Sequence, residues 1–387
     1  MKRISIGLSV LLVLAAIGFF LFAPGIVERG LNKVVAAELP PVSERARALH
    51  ARIAVADMHA DTLLWQRSLL DEAERGHVDL PRLERGNVAL QVFSSVTKTP
   101  KGQNYDSNTA GTDNITLLAF AQLQPTRTWG SLLERSLWHS LKLQRAEDAS
   151  DGRLRIVRRG PDVARLLKER AAGRSVTGAL LSIEGLQNLE GRLENLDLLH
   201  RAGFRMAGLT HFFDNELGGS MHGVAKGGLT PLGRQVVRRM EALGMIVDIA
   251  HASPATVRDV LAMARRPVVS SHGGVQAVCK VNRNLSDDQI GAVAKTGGLV
   301  GIGYWEAAIC DTRPAAIAAA IAHVRDLVGI DHVALGSDFD GAVTTGFDTA
   351  GLAHLTQALV ERGFTDEEIA KVMGGNLLRL LEAQLPR

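Results

Sequence analysis

Met245-Ile246-Val247-Asp248-Ile249-Ala250-His251 and Pro267-Val268-Val269-Ser270-Ser271-His272 are two statements of one pattern. Each is an apolar run of strand length that ends in a histidine, and the intervening segment 254–264 has helical spacing. Runs that are apolar almost throughout suit strands buried on both faces, as in a parallel sheet whose crossovers are helices. The rhythm extends in both directions. Strand-like runs at 298–302 and 332–335 alternate with helical patterns at 287–295 and 314–328, and earlier strands are expected at 53–56, 89–93, 179–183 and 205–209. Eight such runs alternating with helices predict an α/β fold, a (β/α)8 TIM-like barrel rather than an open sheet. Helices are also expected around 117–123 and 132–143, and Thr365 with Glu368 forms a capping box before the last helices. The polar segment 98–114 reads as a long loop. No Gly-rich dinucleotide fingerprint or phosphate loop interrupts the pattern.

The chain has 387 residues and is 46% hydrophobic, which suffices for a substantial core, but only 4% aromatic, so that core must be mostly Ala, Leu, Val and Ile. A net charge of +3 with both signs interspersed implies no nucleic-acid partner. Lys2 and Arg3 precede an apolar run over 4–22 that ends at Ala23-Pro24-Gly25. At 1.5 Å per residue it just crosses a bilayer core of about 30 Å. Residues 1–26 therefore read as an uncleaved signal anchor, a single transmembrane helix. Residues 27–47 follow as a juxtamembrane stalk closed by Pro40-Pro41, and 48–387 as the barrel domain on the extracytoplasmic (periplasmic) side of the cell membrane. The alternative is secretion after cleavage near Ala36-Ala37. Ser43 is placed to cap the first helix after the stalk. Cys279 and Cys310 read equally well as a disulfide or as two buried thiols.

Several strand candidates end in residues that bind metals or move protons. His59 and Asp61, two apart in an extended segment, point to the same side, and imidazole and carboxylate both suit zinc. Taken singly the triplet His59-Ala60-Asp61 is better explained by structural hydrogen bonding. Its weight comes from company: Glu184, His211, His251, His272 and Asp338 close other strands, and in a (β/α)8 barrel all these ends open on one face. A carboxylate such as Glu184 suits a bridge between two cations, and Asp338 a proton shuttle. Arg283 alone reads as a solvated surface charge.

With these residues assembled, the chain from about Ala51 onward resembles the renal (membrane) dipeptidase family of zinc peptidases, including its bacterial members. The resemblance rests on Asp57-x-His59-x-Asp61, Ile183-Glu184-Gly185, Leu209-Thr210-His211, Gly228-Leu229-Thr230-Pro231-Leu232-Gly233, Asp248-x-Ala250-His251, Ser271-His272, Arg283-Asn284 and Asp338-Phe339-Asp340-Gly341. It implies a (β/α)8 barrel with two Zn2+ ions that hydrolyses dipeptides, often with C-terminal D-residues, through a hydroxide bridging the metals. His59 and Asp61 would then bind one metal, His251 and His272 the other, and Glu184 would bridge them. Arg283 would grip the substrate carboxylate, His211 would lie near the scissile carbonyl oxygen, and Asp338 would be the catalytic acid/base. The resemblance also favours a Cys279–Cys310 disulfide. The sequence departs from the family at Tyr304-Trp305-Glu306-Ala307-Ala308, where the aromatic usual ahead of Cys310 is displaced or absent. The loop 218–228, with His222 and Lys226, is read as solvated, the alternative being that it overhangs the site. Partners would be small dipeptides and the membrane, with a homodimer left open. Two alternatives stand beside this reading: a related amidohydrolase acting on a non-peptide amide, ester or lactam, and a non-catalytic metal-binding peptide receptor.

Overall fold

The computed structural model describes residues 2–35 and 39–387. Eight parallel strands close into a barrel: β1 (Val55–Ala60), β2 (Val88–Val96), β3 (Thr177–Glu184), β4 (Phe204–Gly208), β5 (Ile246–Asp248), β6 (Val268–Ser270), β7 (Leu299–Ile302) and β8 (Val333–Leu335). Each pairs with its successor, and β8 returns to β1 through Leu335 opposite Asp57. All eight fall on the runs anticipated from sequence. A ninth strand, Leu154–Ile156, pairs beside the start of β3; Arg155 interrupts it and arginines flank it, so no apolar run marks it in the sequence.

The strands divide their side chains between two cores, as a period of two requires. One core is shared with the surrounding helices and includes Val55, Phe93, Leu181, Val247, Val268, Val300 and Val333, packed with residues such as Val237, Val260, Ile290 and Ile321. The other draws on every strand (Ala56, Leu90, Leu180, Met206, Ile246, Val269, Leu299, Ala334) and is joined by Leu377, Leu378 and Leu381 of the helix Asn376–Gln384. It is the filled interior of the barrel, a packed core and not a pore. The dearth of aromatics fits both cores, whose strand contacts are almost all aliphatic.

The N-terminal helix, α1 (Lys2–Leu31), continues through Pro24 beyond the boundary expected at residue 26. It is the one helix among the described residues long and apolar enough to cross a membrane. The start of the expected stalk is docked on the barrel. Glu28 is buried and accepts from Arg67 Nε (2.6 Å) and Arg75 Nε (2.7 Å). Asn32 Oδ1 accepts from Ala342 N, and Lys33–Val34 pairs in parallel with Thr344–Thr345. The cleavage alternative at Ala36-Ala37 lies outside the described residues. Ser43 then caps the helix Glu44–Arg52, accepting from Ala46 N.

Cys279 and Cys310 form a disulfide, deciding between the two readings left open by spacing. It joins the segment after β6 to the segment after β7 across a separation of 31 residues. Loop-closure entropy for that length predicts that Cys310→Ser lowers stability by about 3–4 kcal/mol, read as a lower Tm that reductant no longer changes. A second expectation concerns His139 on the helix Leu132–Ala149, where its Nδ1 meets Ser95 Oγ at 2.8 Å. Burial, with Lys142 and Arg135 nearby, lowers its pKa to about 3. The unfolded chain takes up this proton near pH 6.5, so the contribution to stability is complete above that pH and is lost as pH falls toward 3. Thermal melts from pH 7.5 to 5 should show a smaller drop in Tm for His139→Gln than for the wild type; an equal drop would contradict the assignment.

Candidate metal centre

Each strand end delivers its residue to one face of the barrel. His59 lies in β1 and Asp61 directly after it; Glu184 closes β3, and His211, His251, His272 and Asp338 follow β4, β5, β6 and β8. Arg283 arrives on the loop after β6. All eight residues singled out from sequence are buried and converge on one cavity or its wall. Asp61 N donates to Phe339 O (2.9 Å), which pins the ends of β1 and β8 together.

Glu184 is the hub. Its Oε1 lies 2.7 Å from His251 Nε2, 3.2 Å from His272 Nε2 and 3.3 Å from His211 Nε2. Its Oε2 faces His59 Nε2 at 3.7 Å, and that nitrogen stands 3.5 Å from Asp61 Oδ1 and 3.8 Å from Asp338 Oδ1. Three overlapping donor groups result: His59, Glu184 and His272; Glu184, His211 and His251; His59, Asp61 and Asp338. The donor set fits metal ions for a specific reason. His59 Nδ1 and Nε2, Asp61 Oδ1 and Glu184 Oε2 are buried without a hydrogen-bond partner, and such atoms normally cost 1–3 kcal/mol each, roughly, unless something satisfies them. His251 Nε2 and His272 Nε2 also sit 3.0 Å apart, close enough for one cation to take both as donors.

The surroundings fix which nitrogen faces the cluster. Ser271 donates its hydroxyl to Asp248, so its oxygen is left to accept from Nδ1–H of His272 (2.8 Å). Nε2 of His272 is thereby kept as a lone-pair donor. Asp248 Oδ1 also accepts from the backbone of Ala250 and Ser271, holding the two histidine-bearing loops in register. Asp57 does the same for β1 and β8: it accepts from His59 N (3.0 Å), Gln91 Nε2 (3.1 Å), Ser337 N (3.0 Å) and Ser337 Oγ (2.9 Å). His251 (φ 63°) and Asp338 (φ 60°) adopt the left-handed region, strain of a kind that concentrates at functional sites. Gly341 is required beside Asp338, because a Cβ there would lie 2.2 Å from Asp338 Oδ1.

The electrostatics separate the two sides of the cluster. Burial lowers the pKa values of His251 and His272 well below the usual imidazole range, with Arg283 and His59 respectively adding to it. Burial opposes charge on His59 too, but Asp61 and Glu184 outweigh it and hold its pKa well above the ordinary value. Glu184 resists its own burial because His211 and His59 keep it well below the usual carboxylate range. Burial lifts Asp338 well above that range.

Above the cluster lies a cavity of about 440 Å³. Arg283, which read alone as a surface charge, is buried; its Nη2 donates to His272 O (3.0 Å) and its guanidinium stands over the Trp305 ring at 5.6 Å. Trp305 lines the cavity and donates from Nε1 toward Tyr105 Oη (3.3 Å). The pocket therefore has its aromatics, supplied by Trp305, Tyr105 and Phe212. Tyr105 had no signal beyond being an aromatic in a polar loop. The expectation of a solvated 218–228 loop fails at His222, which is fully buried, meets Tyr105 O at 2.9 Å and stacks on Phe212. Asp214 pulls the loop inward by accepting from Ser220 N and Ala225 N, so that Val224 and Ala225 stay exposed while His222 does not.

A filled (β/α)8 barrel with clustered histidines and carboxylates at its C-terminal rim defines a metal-dependent hydrolase. A family model described as "Membrane dipeptidase (Peptidase family M19)" matches residues 43–385, and the chain belongs to that family of metallo-dipeptidases. Dipeptidase aclJ of Aspergillus oryzae is 31% identical over 98% of this chain and 89% of its own length. Dipeptidase tcpJ of Claviceps purpurea is 30% identical over 79% of this chain and 69% of its own. Among solved structures, the probable dipeptidase PvdM from Pseudomonas aeruginosa shares the fold with a TM-score of 0.73 at 22% identity, covering 88% of this chain and 98% of that one. A metallopeptidase from Rhodobacter sphaeroides, liganded with a phosphinate mimic of L-Ala-D-Ala, does so with a TM-score of 0.69 at 24% identity, covering 86% and 99%. Removing metal with a chelator should lower Tm, and zinc restored at a thousandfold its Kd should return about 4 kcal/mol. A melting curve indifferent to both treatments would mean that the cluster holds no metal.

Proposed function

We propose that the protein is a binuclear zinc dipeptidase, anchored by α1 with its barrel on the extracytoplasmic side, that cleaves dipeptides including those with C-terminal D-residues. One observation carries the binuclear reading: Glu184 turns one oxygen to His251 and His272 and the other to His59, which stands beside Asp61. His59 and Asp61 are assigned to one ion, His251 and His272 to the other, and Glu184 to both. Such a pair of ions lowers the pKa of bound water toward neutrality and polarises the scissile carbonyl.

The chain's own residues do the rest. Arg283 offers a planar fork suited to the substrate's C-terminal carboxylate, and its burial makes that pairing strong and selective for a free C-terminus. His211, across from Glu184 Oε1, is placed to donate to the oxygen on which charge develops. Asp338, its carboxylate 3.8 Å from His59 Nε2, accepts the proton of the attacking water and hands it to the departing amine. The disulfide supports an oxidising compartment, and the exposed apolar surface of α1 supports a membrane anchor. The barrel domain is assigned to 48–387.

Asp338→Asn should lower kcat by about 10²–10⁴-fold while metal analysis still finds two ions per chain; loss of metal would reassign Asp338 as a ligand. His251→Ala should reduce the metal content. A panel of dipeptides with L- and D-residues at the C-terminus tests the activity itself. Failure to cleave any of them, with amide, ester or lactam turnover instead, would replace the dipeptidase reading by the amidohydrolase one.

A further inference from the structure

The cavity has two chemically different halves. Its charged lining residues, Asp61, Glu184, Arg283 and Asp338, all belong to the metal cluster or the carboxylate-binding side. Much of the remaining wall is an apolar lobe that includes Leu64, Trp65, Val96, Leu118 and Val343, together with Val27 and Leu31 of α1, while Thr99, Gln103 and Asn114 add uncharged polar groups to the lining. Leu64 follows β1, Val96 ends β2 and Val343 follows β8. In the ring of eight strands β2 lies opposite β6, the strand that leads into Arg283. A dipeptide with its carboxylate on Arg283 therefore spans the cluster, and the side chain of its N-terminal residue enters the lobe.

The contribution of α1 is fixed in place. Val27 and Leu31 are one turn apart on a single helix face, and the intervening Glu28 is buried between Arg67 and Arg75. Farther along the helix Phe20 meets Phe120 edge-to-face at 5.3 Å, so α1 also lies against the helix Asn114–Ala121 that supplies Leu118. Helix and cavity wall form one packed unit.

We infer that the last turns of α1 form one wall of the substrate pocket and select dipeptides whose N-terminal residue carries a bulky apolar side chain. This inference rests on the dipeptidase reading, with the substrate carboxylate on Arg283. Val27 and Leu31 touch the substrate's side chain and take no part in the chemistry.

The test uses the full-length, zinc-loaded protein in detergent and a dipeptide series with a constant C-terminal residue: Gly-Ala, Leu-Ala and Phe-Ala. The wild type should favour Leu-Ala and Phe-Ala over Gly-Ala in kcat/KM by at least about tenfold, as an apolar pocket does for added methylenes. Leu31→Ala and Val27→Ala should each cut that preference by roughly threefold to tenfold through lost apolar contact, the larger share of the loss falling on Leu-Ala and Phe-Ala. A readout independent of turnover is alkylation of Leu31→Cys, whose thiol is the only free one because Cys279 and Cys310 are paired. A phosphinate mimic of Leu-Ala should slow the labelling, and a mimic of Gly-Ala should not. Cleavage of all three substrates with a preference that neither α1 variant changes, or labelling that both mimics slow equally, would overturn this inference and leave the dipeptidase reading standing. No cleavage of any dipeptide by the wild type would overturn that reading and this inference together.

Discussion

The catalytic face is organised around one buried carboxylate. Glu184 stands within 2.7–3.7 Å of imidazole nitrogens from His59, His211, His251 and His272, so four strand ends must reach the same point. An ionised carboxylate is expensive to bury unless opposite charge surrounds it. Here positive charge comes chiefly from His59, whose pKa is held well above the ordinary value, and a bound cation would complete the compensation. The closed barrel is what makes this convergence achievable, because only a closed ring of parallel strands brings residues separated by more than two hundred positions to one rim. A single strand out of register would turn its ligand away from the cavity.

The supporting residues show how the register is held. Asp57 and Asp248 do not face the cavity wall, yet each ties a ligand-bearing strand end to a neighbour through several hydrogen bonds. Both are fully buried, and burial raises their pKa values while those hydrogen bonds pull them back. Their role is orientation. Ser271 passes the orientation of Asp248 to the imidazole of His272, and Ser337 links Asp57 to the backbone of His59. The disulfide acts on the outer layer of the same site, since it bridges the loop carrying Arg283 to the loop carrying Trp305.

Much of this was legible in the sequence, for physical reasons that can be named. Parallel strands buried on both faces leave apolar runs, so all eight were visible, whereas Arg155 breaks Leu154–Ile156 and leaves no such run. The convergence of the candidate cluster was legible because residues of ligand type recurred at equivalent strand ends. Arg283 was not legible from its own surroundings: a buried guanidinium and a solvated one look alike in a chain, and only the family motif drew attention to it. His222 and Tyr105 were missed because their burial comes from loop-to-loop contact, which leaves no periodicity. The docking of residues 27–35 was hidden for a related reason: a short segment carrying Glu28, Arg29, Asn32 and Lys33 reads as a solvated stalk, and its burial comes from contacts with distant parts of the chain.

That docking bears on where the enzyme begins. Composition alone separates an anchor (1–26) and a stalk (27–47) from a domain that starts at 48, but the physical contacts join the stalk to the barrel. Arg67 is buried and pairs with Glu28 of α1 and with Asp340, two residues beyond Asp338. Burial alone would raise the pKa of Asp340, but Arg67 and His77 hold it below the usual carboxylate range. One guanidinium therefore bridges the end of the N-terminal helix and the loop that presents Asp338. Removing one partner from a buried ion pair leaves an uncompensated charge, which costs far more than the pair itself contributes. The helix end is thus coupled through Arg67 to the loop that carries Asp338, and the start of the segment that reads as a stalk is also part of the architecture around the candidate site.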